Sequence, residues 1–485
     1  MDSPNSPPRF VTRAVSRLRQ AVGKTFVLDD PASLLAYESD ALTLFRSKPS
    51  AVVLPRSGEE VAACVRILHE EGIPFAARGA GTGLSGGALV PEGGVVLALA
   101  RMDRVVEILP QARMATVEPG AVNAALSREA EKHGLRYAPD PASQVVSTIG
   151  GNLAENAGGP QCFLHGTTTN HIQWVEVVLA DGSVETWGTA SGEDDLDLRG
   201  FLVGSEGTVG IAVRIGVRLI PIPEAVETLL AAYPDMQTAC DTVTAIVAAG
   251  MTPVALEVMD HRAVEAVENS NFRAGLPRDA GAVLLVEVEG DRERVSSEAS
   301  TVESILAERQ PLEVRRAVDE NERLLLWKAR KGAGGALGRF GPDTYVMDGV
   351  VPPSKLAKVM AFVEEVQEEV GLPVANLFHA GDGNIHPHFS YDARNPDQVR
   401  AVEEAGARIL RYCLDLGGSL TGEHGIGLEK EHLLKEQFDP ASLALMERLR
   451  KVFNPSDLLN PGKGLPLRKG CGEAFHRHGG VSGGA

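Results

Sequence analysis

The stretch RGAGTGLSGGA at residues 78–88 decides the fold of the first half of this chain. Three of its glycines match the dinucleotide pattern G-x-G-x-x-G: Gly81, Gly83 and Gly86. Asp103 follows about 20 residues later, as a Rossmann fingerprint requires. A Rossmann loop opens a helix, whereas the next residues, ALVPEGGVVLALA (88–100), contain a proline, a Gly pair and a strand pattern. The sequence therefore predicts a glycine loop between two strands, which either cradles phosphates with backbone N–H groups or forms a pair of tight turns.

A second segment has the same character. DPASQVVSTIGGNLAENAGG (140–159) is rich in Gly, Asn and Ser and lacks the alternation of a strand. Two such loops in one domain indicate a long dinucleotide ligand. Around them, AVVLP (51–55) has the pattern of a buried strand, and SGEEVAACVRILHEEG (57–72) has that of a helix with a capping box formed by Ser57 and Glu60. We therefore expect an α/β arrangement in this half of the chain.

The composition describes a soluble globular protein of two or three domains, with 485 residues of which 44% are hydrophobic and 23% charged. The net charge is −18, and the absence of any basic run argues against nucleic acid or anionic membrane as the main partner. The five cysteines are scattered without a C-x-x-C pair, so they indicate neither a disulfide framework nor an iron–sulfur cluster. There is no signal-peptide core, and no apolar run approaches the roughly 18 residues that a membrane span needs. These features favour a cytoplasmic protein.

Histidines are concentrated in NLFHAGDGNIHPHFS (376–390). The turn-forming AGDGN between His379 and His386 can bring both imidazoles together, and His386 and His388 would share one side of a strand. Further on, LTGEHGIGLEK (420–430) contains an adjacent acid and imidazole, Glu423 and His424. Two histidines and a carboxylate without nearby thiolates are the inventory of a divalent-metal site. The same residues also fit a buried polar network that joins a turn to the core.

Three ordered segments carry a resemblance to a known family: residues 55–88, 140–159 and LVGSEGTVGI (202–211). They resemble the FAD-binding domain of the vanillyl-alcohol oxidase (PCMH) type flavoproteins. The resemblance implies an α+β protein, in which a PCMH-type FAD-binding domain of two α/β subdomains is joined to an α+β substrate (cap) domain with an antiparallel sheet. No histidine lies within 78–88, so the FAD is expected to be non-covalent. The implied cofactor residues are Arg78, Gly79, Gly81, Thr82, Gly83, Ser85, Gly86, Pro139, Ser143, Ser147, Thr148, Gly151, Asn152, Asn156, Glu206 and Ile211.

The second half resembles the FAD-linked D-2-hydroxy-acid dehydrogenases through FHAGDGNIHP (378–387), GEHGIG (422–427) and NPSDLLNPGKG (454–464). The segment 326–356 is most similar to the catalytic flavoprotein subunits of the bacterial glycolate oxidases within that family. The resemblance implies that His379, His386 and Glu423 hold a divalent metal, zinc or another ion. It implies that His424 is the catalytic base. Arg330 and His388 are the implied substrate-binding residues, and Asn460 is an implied cofactor contact. Some relatives that take dicarboxylates have a lysine where this chain has Val346 or Met347, and this difference favours a short monocarboxylate.

The resemblance as a whole predicts FAD-dependent oxidation of a short D-2-hydroxy acid, glycolate or D-lactate, with electrons passed to a separate acceptor. It implies an iron–sulfur partner subunit, a further flavin-domain subunit, and a cytoplasmic location at the membrane through those partners. The alternatives are a stand-alone D-lactate or D-2-hydroxyglutarate-type dehydrogenase, a non-catalytic flavin-binding subunit, and a metal-dependent hydrolase with a regulatory nucleotide site. The expected organisation is a helical lead (1–46), the FAD-binding domain (47–222), a cap domain with the metal site (223–435), a segment returning to the FAD domain (436–466) and a disordered tail (467–485).

Overall fold

The structure, a computed structural model, describes residues 9–189, 196–465 and 476–477. The predicted disordered tail lies outside these residues except for His476–Arg477. The α-helices are α1 (Arg9–Val22), α2 (Pro31–Leu34), α3 (Gly58–Glu70), α4 (Asn123–Glu131), α5 (Ile149–Glu155), α6 (Cys162–His165), α7 (Leu198–Leu202), α8 (Met236–Ala248), α9 (His261–Glu268), α10 (Arg292–Glu308), α11 (Glu320–Ala336), α12 (Leu356–Val370), α13 (Pro396–Asp415), α14 (Leu434–Gln437) and α15 (Pro440–Phe453).

Most strands are short. They are β1 (Val27–Leu28), β2 (Phe45–Arg46), β3 (Ala51–Val53), β4 (Phe75–Arg78), β5 (Val95–Ala98), β6 (Val105–Leu109), β7 (Met114–Val117), β8 (Leu135–Arg136), β9 (Ile172–Val178), β10 (Val184–Trp187), β11 (Ile211–Arg218), β12 (Ile220–Pro221), β13 (Ala225–Tyr233), β14 (Ala255–Asp260), β15 (Ala282–Gly290), β16 (Glu313–Arg316), β17 (Asp343–Val346), β18 (Gly349–Val350), β19 (Val374–His379), β20 (Asn384–Ile385), β21 (Pro387–Tyr391) and β22 (His476–Arg477).

The described chain divides into two compact units. The first contains the chain up to Gly158, Thr167–Ile222 and the chain from Glu423, and the second contains Gly159–Gly166 and Pro223–Gly422. The change of unit after Ile222 falls between two prolines, Pro221 and Pro223. The chain leaves the second unit after Gly422, 13 residues before the predicted end of the cap domain at residue 435.

The described part of the first unit contains two larger sheets and the two-stranded sheets β12-β8 and β2-β22. One larger sheet has the order β1-β3-β5-β4, in which β3, β5 and β4 are parallel, and the other is antiparallel with the order β10-β9-β11-β7-β6. The glycine loop joins the adjacent parallel strands β4 and β5 without a helix, as the sequence predicts. Helices α1 and α3 pack on the first sheet, and α4 and α5 contribute to the core of the second. The closing segment reaches the edge of the first sheet, where Leu459 forms a parallel bridge with Phe75.

Two local features differ from expectation. The Ser57 side chain accepts the N–H of Glu60 at 3.3 Å, as a cap should, but the Glu60 carboxylate accepts the backbone N–H of Arg56 and so departs from the predicted capping box. The second glycine-rich segment contains the short helix α5. Thr148 caps its start by accepting the N–H of Gly151, and Asn156 ends it at a φ of +54°.

The second unit is built on a nine-stranded antiparallel sheet within the described residues. Its continuous path is β16-β13-β15-β14-β19-β20-β18, and β21 pairs with both β17 and β19. Strand β15 is buried along almost its whole length, which explains its apolar start AVLLV, and it also buries the acids Glu287 and Glu289. Helices α9 and α11 pack in one core with β14 and β19. The antiparallel sheet of the predicted α+β cap domain is therefore confirmed.

Candidate active site

A cleft in the first unit is lined by both glycine-rich segments. About 1340 Å³ of space in and in front of this cleft, open solvent included, is free of protein atoms. The predicted cofactor residues that line it are Gly79, Gly81, Thr82, Gly83, Ser143, Ser147, Thr148, Gly151, Asn152, Glu206 and Ile211. Both predicted glycine-rich segments therefore face one cleft.

The donors in this cleft fit a phosphate-bearing ligand. Buried polar atoms without a hydrogen-bond partner in the described structure include Ser147 Oγ, Asn152 Nδ2 and Ser205 Oγ. Such groups are costly to bury unless a ligand or water satisfies them. Gly83 has open space where a Cβ atom would stand, so its backbone can be approached closely. Among the described lining residues there is no lysine or arginine, so the available donors are backbone amides and neutral side chains.

The remaining predicted cofactor residues do not line the cleft. Instead they contact other residues of the first unit. In the first glycine segment, Arg78 Nη2 donates to Ala36 O, Ser85 Oγ donates to Glu155, and Gly86 packs against Leu428. Elsewhere, Pro139 O accepts from Asn123, the Asn156 side chain accepts the N–H of Thr169, and Asn460 Nδ2 donates to Gly87 O and Glu206 O. Direct FAD contact stays a prediction for these residues.

Glu423 and His424 line the same cleft as the glycine segments. The chain after His424 is anchored by the Glu206 carboxylate, which accepts the N–H of Ile426 at 2.7 Å and that of Gly427 at 2.8 Å. The predicted base is therefore held on the wall of the predicted flavin cleft.

Three buried ionisable residues lie near this part of the cleft: Glu155, Glu206 and Lys463. Glu155 was not predicted as a site residue, although it is the single acid in the run NLAENAGG. Burial and the neighbouring Glu206 raise the pKa of Glu155 well above its ordinary value. Burial lowers the pKa of Lys463 to about 7, while Glu206 acts in the opposite direction. The Lys463 ammonium group donates to Leu89 O at 2.6 Å and to Asn460 Oδ1 at 3.1 Å.

In the second unit, Glu257 on β14 joins two of the predicted site residues. Its carboxylate accepts from His379 Nδ1 at 2.7 Å and pairs with Arg330 Nη2 at 2.5 Å. Glu257 is fully buried. Burial alone raises its pKa, but the positive Arg330 and the histidines His379 and His386 bring the net value below that of an ordinary glutamate. The sequence signal for this residue was an acid inside the apolar strand VALEVMD (254–260).

The predicted reversal between His379 and His386 is observed. Their ring centroids lie 5.2 Å apart and the rings are nearly perpendicular. His386 Nδ1 lies 2.9 Å from Met347 O. With Nδ1 of each ring donating to an oxygen, the neutral form of each imidazole carries its lone pair on Nε2, the arrangement found in metal-binding histidines. The Nε2 lone pairs of the two histidines are therefore suited to binding a divalent ion.

His388 and Arg330 take more constrained positions than the sequence indicates. His386 lies between two short strands rather than within one, and His388 Nδ1 contacts the carbonyl oxygen of His386 at 2.6 Å. Arg330 is buried, one of its terminal nitrogens contacts Glu257, and its Nε has no hydrogen-bond partner in the described structure. Their roles in substrate binding stay predictions.

Asp348, a second buried acid of the second unit, binds the last residues of that unit before Glu423. Asp348 is fully buried and accepts from Asn384 Nδ2 at 2.8 Å and from the N–H of Gly422 at 3.1 Å. Thr421 Oγ1 donates to the same carboxylate. This clamp fixes the backbone immediately before Glu423, and sequence reasoning did not identify it.

Comparison with known proteins assigns both halves of the chain. Residues 49–188 match the FAD binding domain, and residues 222–464 match the C-terminal domain of FAD linked oxidases. The chain is 40% identical to glycolate oxidase subunit GlcD of Escherichia coli (strain K12), covering 96% of this chain and 94% of that protein. It is 35% identical to a D-lactate dehydrogenase of Archaeoglobus fulgidus, covering 85% and 90%.

The fold has relatives among solved structures. A substrate-bound crystal structure of p-cresol methylhydroxylase matches with a TM-score of 0.80 at 18% identity, covering 96% of this chain and 99% of that one. At this identity the match establishes the fold alone, and it confirms the predicted PCMH-type architecture. None of the helices in the described part of the chain is long and apolar enough to span a membrane.

Proposed function

The chain belongs to the FAD-linked oxidases, and on that premise we propose that it oxidises a short D-2-hydroxy acid, glycolate or D-lactate, to the corresponding 2-oxo acid. It is an FAD-dependent oxidoreductase. The observation that carries the proposed substrate chemistry is the position of His424 on the wall of the cleft that both glycine segments line. A base at that position serves the oxidation of an alcohol next to a flavin.

His424 accepts the proton of the 2-hydroxyl group, and Arg330 binds the substrate carboxylate. FAD, when bound, supplies the acceptor for the hydride that leaves C2. The substrate thus loses one proton and one hydride and becomes the 2-oxo acid. Ser147 and Asn152 hold the cofactor with their buried donors.

A divalent ion is part of the proposal. His379 and His386 would hold it through Nε2, and the family resemblance adds Glu423, the residue that follows Gly422. The imidazole and carboxylate donor set suits zinc. Such an ion lowers the pKa of a coordinated hydroxyl group.

The electron acceptor is proposed to be a separate iron–sulfur protein, with a further flavin-domain subunit in the complex. Two observations support this: the similarity to a protein named as a glycolate oxidase subunit, and the cysteine sequence pattern, which has no cluster-ligand spacing. A stand-alone D-lactate dehydrogenase is the second candidate, favoured by the similarity to the Archaeoglobus enzyme. The hydrolase alternative loses its basis because both halves of the chain match FAD-linked oxidases.

The substrate class is tested by mixing the purified yellow protein anaerobically with single 2-hydroxy acids. We expect glycolate or D-lactate to bleach the flavin, and D-2-hydroxyglutarate to do so at least about tenfold more slowly. The reason is that Val346 and Met347 offer no partner for a second carboxylate, and burying an unpaired charge is costly. Bleaching by D-2-hydroxyglutarate alone, or by no 2-hydroxy acid, contradicts the proposal. Fast reoxidation by oxygen without a partner argues for a stand-alone enzyme.

The mode of cofactor attachment gives a second prediction. Acid precipitation of the protein should release all of the yellow colour into the supernatant, because RGAGTGLSGGA contains no histidine to bond the flavin. Absorbance spectra of pellet and supernatant measure this. Colour that stays with the pellet contradicts non-covalent binding.

A further inference from the structure

We propose that Glu206 is the positioning residue for His424, and that it acts by fixing the backbone of the loop that carries this base. The proposal rests on the proposed function for the role of His424. It differs from the sequence-based assignment of Glu206 to cofactor binding, because the carboxylate contacts are made to the chain itself.

Glu206 connects three segments of the first unit. Its side-chain oxygens accept the N–H groups of Ile426 and Gly427 at 2.7 and 2.8 Å, one oxygen for each. Its own N–H donates to Ala154 O at 2.8 Å, and its carbonyl accepts from Asn460 Nδ2 at 2.6 Å. The residue has a φ of +53°, a conformation that costs free energy for a residue with a side chain. The surrounding contacts hold it in this conformation.

The loop is shaped to fit this carboxylate. Gly425, next to His424, has a φ of +87°, and a Cβ atom there would lie 2.6 Å from Glu155 Oε2 and 3.0 Å from Glu206 Oε1. Gly427 has a φ of +52°, and a Cβ atom there would overlap Ser85 O. The loop therefore needs glycine at both positions, and its backbone passes directly against the two acids.

The two acids play different roles. Glu206 has both oxygens occupied by backbone donors, which stabilise its ionised form, whereas Glu155 accepts only a long 3.3 Å bond from Ser85 Oγ among the bonds described. Burial raises the pKa of both acids, and the charge of Glu206 raises that of Glu155 further, whereas the N–H groups of Ile426 and Gly427 act in the opposite direction on Glu206. Glu206 is therefore the acid that anchors the loop, and Glu155 is a neighbour that accepts no N–H of the loop among the bonds described.

The first test is Glu206→Gln, which keeps the shape but replaces one acceptor with an NH₂ donor. One of the two loop N–H groups then loses its partner. We expect the amides of the peptide spanning 422–430 to exchange hydrogen roughly 10- to 100-fold faster, the usual effect of losing a bond to a charged group. Glu155→Gln replaces the neighbouring acid, which accepts no N–H of the loop among the bonds described, with an isosteric amide and should accelerate this exchange by less than about threefold. Mass spectrometry of the exchanged FAD-loaded protein measures both.

The kinetic signature separates positioning from a cofactor or substrate contact. In Glu206→Gln the limiting rate of flavin reduction should fall about 10- to 100-fold, while the KM for the acid changes less than about threefold and FAD occupancy stays complete. A loss of FAD at an unchanged reduction rate for the loaded fraction overturns the proposal. So does wild-type hydrogen exchange in Glu206→Gln.

Gly425→Ala perturbs the same contact from the loop side and should reproduce both the faster exchange and the lower reduction rate. The matched control is Gly93→Ala, since Gly93 has a φ of +89° but no atom within 4 Å of its Cβ position. It reports the cost of the backbone conformation alone. Equal exchange in the 422–430 peptide for these two variants contradicts the proposal. The exchange experiment needs no substrate, so it decides on Glu206 even if no 2-hydroxy acid reduces the wild-type flavin.

Discussion

His424→Ala is expected to lower the rate of flavin reduction by about 100-fold or more while FAD stays bound, because a positioned general base contributes about that factor. His424 lines the predicted flavin cleft, and the loop after it is fixed independently by Glu206, so removing the ring leaves the backbone anchored. Rapid mixing with the acid that reduces the wild-type flavin measures the rate. The flavin spectrum measures the occupancy.

Two companion variants make this prediction specific. His133→Ala removes an exposed histidine of the same unit, and should leave the rate within about twofold of wild type. His388→Ala tests the other candidate base, whose Nδ1 contacts the carbonyl oxygen of His386. If His388→Ala loses the rate and His424→Ala keeps it, the base has been assigned to the wrong residue. If both variants reduce normally, neither imidazole is the base.

The sequence predicts the elements well where the signal is local. AVLLVEVEG coincides with β15, because the apolar run AVLLV at its start is typical of a strand buried on both faces. The turn between His379 and His386 is also local, and the observed reversal follows from its glycines and aspartate. Helix α5 was missed because its IGGN start has low helix propensity, and only the Thr148 cap reveals it.

The site residues that sequence reasoning missed depend on contacts between distant parts of the chain. Glu257 was detectable as an acid in an apolar strand, but its histidine partner lies 122 residues away. Glu206 is predicted as a cofactor residue from its motif and lines the cleft, but the contact of its carboxylate with a loop about 220 residues further along has no local signal in the sequence. The resemblance of short segments to a family indicates which loops line a cleft. Which side of each loop faces the cleft depends on hydrogen bonds between residues that lie far apart in the sequence.

Glu257→Gln is the prediction with the largest expected effect on the second unit. The substitution leaves the buried Arg330 guanidinium without its counter-charge, and removing one partner of a buried ion pair costs about 3–5 kcal/mol of unfolding free energy. It also weakens the hydrogen bond that fixes the tautomer of His379, so metal affinity should fall by about 10- to 100-fold. Denaturant unfolding and metal analysis after dialysis measure the two effects.

Two controls separate stability from metal binding. Glu287 is a comparable buried acid of the same sheet that contacts Thr228 and Trp327, so Glu287→Gln should destabilise the fold yet keep the metal. The double variant Glu257→Leu with Arg330→Met replaces both charges with apolar groups, and should recover most of the lost stability without recovering metal affinity. Stability that stays low in the double variant would show that packing, and not the unpaired charge, causes the loss. Metal bound as tightly in Glu257→Gln as in the wild type would remove Glu257 from the metal site, and its ion pair with Arg330 would then be structural alone.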